Sequence, residues 1–104
     1  MVFTFLYVTT KNKAEAQRIS THLLQKRLIA CANIFPIESM YWWKGKIMEG
    51  KGVALILKTM KNKVAAVRKE IEQMHSYEIP CITEIDVKPN KKYGEWLEGQ
   101  LKRK

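Results

Sequence analysis

Apolar side chains occupy both faces of the first segment, with Val2, Leu6 and Val8 against Phe3, Phe5 and Tyr7. That pattern predicts a strand over residues 2–9 with no wet face. Thr9, Thr10 and Asn12 then offer helix N-caps. From Ala14 to Leu28 the period lengthens: Ala16, Ile19, Leu23 and Leu24 fall at helical spacing, with Glu15, Arg18 and Lys26 on the other side. Residues 30–37 return to an extended pattern, Cys31, Asn33 and Phe35 sharing one face and Ala32 and Ile34 the other. Pro36 has no N–H for a ladder, so it marks an edge, a bulge or a bend. The strand resumes through Ser39, Tyr41 and Trp43 to a hairpin turn at Lys44-Gly45, and Ile47 opens the return. Gly50 and Gly52, bracketing Lys51, predict a bulge or irregular stretch.

Val53 to Thr59 is apolar on both faces until Lys58 and reads as a buried strand. A second helix follows over Lys61 to His75, where Val64, Val67, Ile71 and Met74 form one stripe. Pro80 drives Ile79 toward an extended conformation and aims the chain into a strand over Ile82 to Val87. That strand has one wet face, carrying Glu84 and Asp86. A last helix, from Lys91 to about Lys102, carries Tyr93, Trp96, Leu97 and Leu101 on one stripe. Gly94 and Gly99 weaken it, so docking rather than propensity must hold it. The order predicts an α+β fold, a ferredoxin-like β-α-β-β-α-β sandwich with an additional C-terminal helix, in a single domain over residues 1–104.

Two consequences follow for packing. Two helices cover one sheet face, yet several strands are apolar on both, so the open face calls for another subunit. Tyr41, Trp42 and Trp43 are consecutive on a strand, so their rings cannot all point into one core. These three are the predicted oligomer-interface residues.

A hydrophobic fraction of 46% suits a packed core, and no apolar run approaches the roughly 20 residues of a membrane span. The start has no basic region and no cleavage site of a secretory signal, so a cytoplasmic protein is expected. Cys31 and Cys81 lie in extended segments without CxxC or zinc-finger spacing, and two free thiols are expected. Lys and Arg number 19 against 10 acidic residues, a net charge of +9. The basic residues are spread along the chain rather than clustered, so nucleic acid is not expected as a partner.

Several blocks, taken together, resemble one family. They are Leu28-Ile29-Ala30-Cys31-Ala32-Asn33-Ile34, Ser39-Met40-Tyr41-Trp42-Trp43-Lys44-Gly45-Lys46-Ile47, Leu55-Ile56-Leu57-Lys58-Thr59 and His75-Ser76-Tyr77-Glu78-Ile79-Pro80, followed by Tyr93 with Trp96. In this order and spacing the chain resembles the CutA1 divalent-cation tolerance proteins over nearly its whole length. The resemblance implies a ferredoxin-like fold, a tightly packed homotrimer whose sheets pair through extended strands, tolerance to divalent cations with copper foremost, and no catalytic reaction. The chain also departs from the family pattern. Ser76 stands where a proline is usual, Gly50-Lys51-Gly52 replaces further acidic residues, and Lys11 and Asn12 occupy the place of a proline early in the first helix.

Soft Cu(I) prefers thiolate, whereas imidazole and carboxylate suit Cu(II) and Zn(II). Cys31, His75 and Glu78 are the candidate metal ligands, converging within a chain or from a neighbouring subunit. The plainer alternative has His75 and Glu78 capping the second helix and Cys31 in the core. Asn33 and Lys58 are polar residues inside apolar strands and need partners. With Tyr77 and Glu78 they are candidates for a small inter-subunit pocket for an anion or small ligand; a Lys58–Glu pair and a backbone-satisfied Asn33 are the alternative. Ser/His/Asp ordering, a phosphate-binding glycine loop and a carboxylate pair are all missing from the sequence, so no enzyme activity is expected. The expected function is that of a non-enzymatic trimer of divalent metal tolerance, with no obligatory cofactor and with copper or zinc as bound cations. A rival reading is a PII-like small-ligand or protein-interaction regulator, for which the trimer is a rigid scaffold.

Overall fold

The computed structural model describes residues 2–103. Alternation in the first segment builds β1 (Phe3–Thr10), where Thr4, Leu6, Val8 and Thr10 are buried and the residues between them half-buried. The chain continues through α1 (Lys13–Gln25), β2 (Cys31–Trp43), β3 (Lys46–Met60), a single 3-10 turn at Lys61–Lys63, α2 (Val64–Met74), β4 (Ile82–Val87) and α3 (Lys91–Leu101). The four strands lie in the order β2-β3-β1-β4, with every neighbouring pair antiparallel. Leu6, Val8, Leu55 and Leu57 from the central strands pack on Ala16, Ile19 and Leu23 of α1 and on Val64, Val67 and Ile71 of α2. Two buried threonines on this face are satisfied from the backbone: Thr10 Oγ1 donates to the Val53 carbonyl and Thr59 Oγ1 to the Leu28 carbonyl, both at 2.7 Å.

The first helix stops three residues short of the predicted Leu28. Arg27 adopts φ 56°, its N–H donates to the Leu24 carbonyl and that of Leu28 to the Leu23 carbonyl, both at 3.0 Å. This is the two-bond left-handed helix stop usually given to glycine or asparagine, and an arginine there leaves no compositional signal.

The second correction concerns the hairpin. β2 and β3 pair one-to-one from Cys31↔Lys58 to Trp43↔Lys46 with no bulge at Gly50 or Gly52 and no break at Pro36. Pro36 is tolerated because β2 is an edge strand, where a missing donor can face away from the ladder. β1 reaches only as far as Thr10↔Val53. Residues 37–43 and 46–52 therefore form a two-stranded arm beyond the sheet, and the molecule measures 45 × 24 × 21 Å.

At the tip, Lys44 and Gly45 have φ 50° and 78°. Two left-handed residues in a two-residue loop suit the right-handed twist of the strands, and Asn-Gly is the favoured pair. Lys44→Asn is expected to gain about 0.5–1 kcal/mol of stability, read as a higher denaturant midpoint; an unchanged midpoint would show that Lys44 carries no backbone strain.

The sheet face opposite α1 and α2 is partly covered by the chain itself. A Cβ on Gly94 of α3 would lie 3.2 Å from the Phe3 ring, and Tyr93 meets Lys58 across the sheet. Leu97 and Leu101 of α3 are buried, so docking holds this helix despite its glycines. The predicted need for cover on this face is thus met in part by α3, while Phe35 and Ile85 are left exposed.

Candidate functional site

After α2, His75 takes an extended conformation (φ −77°, ψ 142°), and the chain runs without helix or strand to Ile82. Polar bonds fix the start of this segment. The Thr9 carbonyl can only accept, so His75 Nε2 donates to it (2.7 Å); Nδ1 then accepts the Tyr77 N–H at 3.0 Å. Glu15, whose side chain is 0% exposed, accepts the Lys11 N–H at Oε1 and the Ser76 N–H at Oε2, each at 3.0 Å. Asn12 Oδ1 in turn accepts the Glu15 N–H at 2.8 Å, so Asn12 caps α1 while Glu15 turns back to the N–H of Lys11, the residue before the cap. Burial pushes the Glu15 carboxyl up, but the bonds from Lys11 and Ser76 and the neighbouring His75 outweigh it, and it sits below the ordinary glutamate range.

Between this segment and the hairpin arm lies a cleft of about 740 Å³. Ser39, Tyr41 and Trp43 form the arm wall, and Tyr77, Glu78 and Cys81 the loop wall. Thr10 and Gly52 meet where the arm leaves the sheet, and an added Cβ on Gly52 would stand 2.6 Å from the Thr10 carbonyl oxygen. Burial, with Glu15 and Tyr41 nearby, pushes the Tyr77 phenol above its ordinary range, so it stays a neutral donor at pH 7.

The aromatic triplet divides as its alternation requires. Tyr41 and Trp43 line the cleft, while Trp42 points away and is 73% exposed.

The candidate metal ligands are not brought together within one chain. Cys31 pairs with Lys58, which lies opposite Phe5, whereas His75 is bonded to Thr9. Four residues of strand separate those rows, about 13 Å. Both His75 nitrogens are engaged, and Glu78 is exposed on the loop. Among the described residues no three His, Cys, Asp or Glu side chains gather at one point.

The candidate ligand residues divide in the same way. Tyr77 belongs to the cleft. Lys58 and Asn33 belong to the row of Cys31 and its neighbour on the α3 side. Lys58 finds neither a carboxylate nor Tyr77: its Nζ donates to Tyr93 Oη at 3.2 Å and lies 5.4 Å and 5.2 Å from the Phe5 and Tyr93 ring centres. Asn33 is exposed.

Glu15 was placed by its helical spacing on the polar side of α1, but it is buried. The Asn12-x-x-Glu15 spacing is the signal that marks it. Cys81 enters the cleft with no local signal, because the cleft joins segments about 30 residues apart.

The family comparison agrees with this frame. A model of the CutA1 divalent ion tolerance proteins matches residues 4–100. The chain belongs to this family. It is 45% identical over 95 residues to the divalent-cation tolerance protein CutA of Archaeoglobus fulgidus, covering 90% of this chain and 93% of that protein. It is 42% identical over 93 residues to the protein of the same name from Thermococcus kodakarensis, covering 88% and 89%. Among solved structures, the periplasmic divalent cation tolerance protein CutA from Archaeoglobus fulgidus superposes with a TM-score of 0.94 at 42% identity, covering 96% of this chain and 99% of that one. CutA1 from Oryza sativa does so with a TM-score of 0.92 at 33% identity, over 96% and 94%. At this coverage the CutA1 likeness takes in the hairpin arm and α3 as well as the sheet.

Proposed function

We propose that this chain acts as a non-enzymatic homotrimer in divalent-cation tolerance, with copper or zinc bound as a ligand rather than as a resident cofactor. The arm carries the assembly. It is a two-stranded ribbon with both edges unpaired and with Met40, Trp42 and Ile47 at 71%, 73% and 60% exposure. A lone hairpin is marginal in water, and long apolar edges are ordinarily covered. A neighbouring subunit provides that cover, and the family resemblance supports three as the number. Light scattering should give about three times the 12.2 kDa chain mass; a monomer at micromolar concentration would overturn the reading.

Cation binding rests on donors from more than one subunit. Cys31 is a free thiol and Glu78 is exposed, whereas His75 is spent on Thr9 and Tyr77. Calorimetric titration with Cu(II) and Zn(II) should show saturable binding lost in Cys31→Ser or Glu78→Gln and retained in His75→Ala. Equal, unsaturable heats for all variants would remove the metal role. The cleft supports the second reading, a PII-like regulator, since its volume and three aromatic rings suit a small-molecule site. A cytoplasmic location is kept in this proposal on the two free thiols, although the Archaeoglobus structure bears the word periplasmic in its name.

A further inference from the structure

The loop wall of the cleft differs from the rest of the chain in how it is held. From Ser76 to Cys81 no side chain joins the core: Ile79 is 72% exposed, Tyr77 40%, and Cys81 half-buried. Its backbone hydrogen bonds lie at its first two residues, through the Ser76 N–H on Glu15 and the Tyr77 N–H on His75, whose ring lies 4.8 Å from the Tyr77 ring between centroids; at the far end Cys81 Sγ lies 3.6 Å from Thr83 Oγ1. A segment with few buried apolar contacts can open at a small fraction of the global unfolding free energy. Opening this one would leave the packed face of α1, α2 and the sheet intact.

We propose that Ser76–Cys81 is a strap that opens and closes over the cleft as a unit, and that Glu15 is the positioning residue that sets its closed state through the Ser76 amide. Glu15 does not line the cleft. Its carboxylate sits beneath the strap and joins two otherwise separate elements, the β1–α1 turn through Lys11 and the strap through Ser76. With Glu15 fixed by the α1 cap, the strap docks against a rigid point rather than against another loop. The inference rests on the cleft alone and holds whichever ligand or subunit the cleft receives.

Residue-resolved hydrogen exchange on the assembled protein tests it. Glu15→Gln keeps the size of the side chain and replaces one acceptor oxygen by a donor. It should speed exchange of the Ser76 and Tyr77 amides on the order of ten- to hundredfold, the loss expected for one hydrogen bond to a charged group. Core amides such as Leu6 and Leu57, which exchange through global unfolding, should speed up by no more than the variant's loss in unfolding free energy. Faster core exchange with unchanged rates at Ser76 and Tyr77 would show a residue of global stability only and overturn the proposal.

A second variant separates the strap from the helix cap. Ser76→Pro removes the donor from the other side, and His75 already has the extended backbone that must precede a proline. In the Ser76→Pro background, Glu15→Gln should no longer alter Tyr77 exchange, because the bond through which it acts is gone. If the Glu15→Gln effect on Tyr77 persists there, Glu15 acts through the α1 cap and the strap assignment falls.

Discussion

Gly52→Ala is expected to destabilise the protein by about 2–3 kcal/mol, at the upper end of what one added methyl costs. The added Cβ would stand 2.6 Å from the Thr10 carbonyl oxygen. That oxygen is backbone, so no rotamer change relieves the contact; β3 must move away from the end of β1. The move occurs where Thr10 Oγ1 bonds the Val53 carbonyl and at the root of the arm, so the arm's angle changes with it. Gly50→Ala is the control, because its Cβ would meet only Tyr41, at 3.9 Å, and should stay within about 0.5 kcal/mol of wild type. Denaturant unfolding at one fixed protein concentration compares the two, since the proposed subunit association would contribute to stability. Equal losses would show that any side chain in this part of β3 is harmful and that the Thr10 contact is not the cause. Because the arm carries the proposed assembly, Gly52→Ala should also raise the concentration at which the trimer dissociates, and Gly50→Ala should not.

The same glycine shows where reading the sequence reached its limit. The order of strands and helices was legible because period-two and period-3.6 patterns are local properties of the chain. What a glycine is for is not local. Gly50 and Gly52 suggested a bulge, the commonest reason for glycine in a strand, but the pairing is unbroken and Gly52 is needed for a close approach to a residue 42 positions away. Pro36 was ambiguous for a related reason, since its tolerance depends on β2 having only one neighbour. Arg27 ends α1 in a conformation that no arginine signals. The candidate site divided along the same line. Tyr77 and Glu78, expected as a pocket residue and a metal ligand, meet at one cleft with Tyr41 and Trp43, which were expected at an oligomer interface instead. Cys31 and His75 were grouped as metal-ligand types, but strand register sends Cys31 to the row of Lys58 and Phe5 and leaves His75 at Thr9; Lys58 and Tyr77, grouped as pocket residues, are separated in the same way. Register is a property of the pairing, and chemistry alone does not give it.

Glu15→Gln is expected to cost about 2 kcal/mol at pH 7 and much less in acid. At neutral pH the carboxylate accepts one N–H at each oxygen, with the Arg18 guanidinium 3.7 Å away. A carboxamide accepts one of those bonds and presents a donor to the other. The folded-state pKa of Glu15 lies below the ordinary value of 4.5, so the folded state binds its proton less readily than the unfolded chain. Its contribution is therefore complete above about pH 4.5 and is lost as pH falls through the lower folded-state value. Glutamine has no proton to gain, and the gap between wild type and variant should narrow from pH 7 to pH 3. Glu70 and Glu84 also lie below the ordinary range, through hydrogen bonds from Lys26 and His22 and from Lys61 and Arg68 respectively. Both are present in the two proteins, so their acid response drops out of the difference. Unfolding free energies of both proteins at pH 7 and pH 3 decide the matter. A gap of the same size at both would mean that the loss comes from the donor the carboxamide sets against an N–H and that the charge of Glu15 contributes nothing.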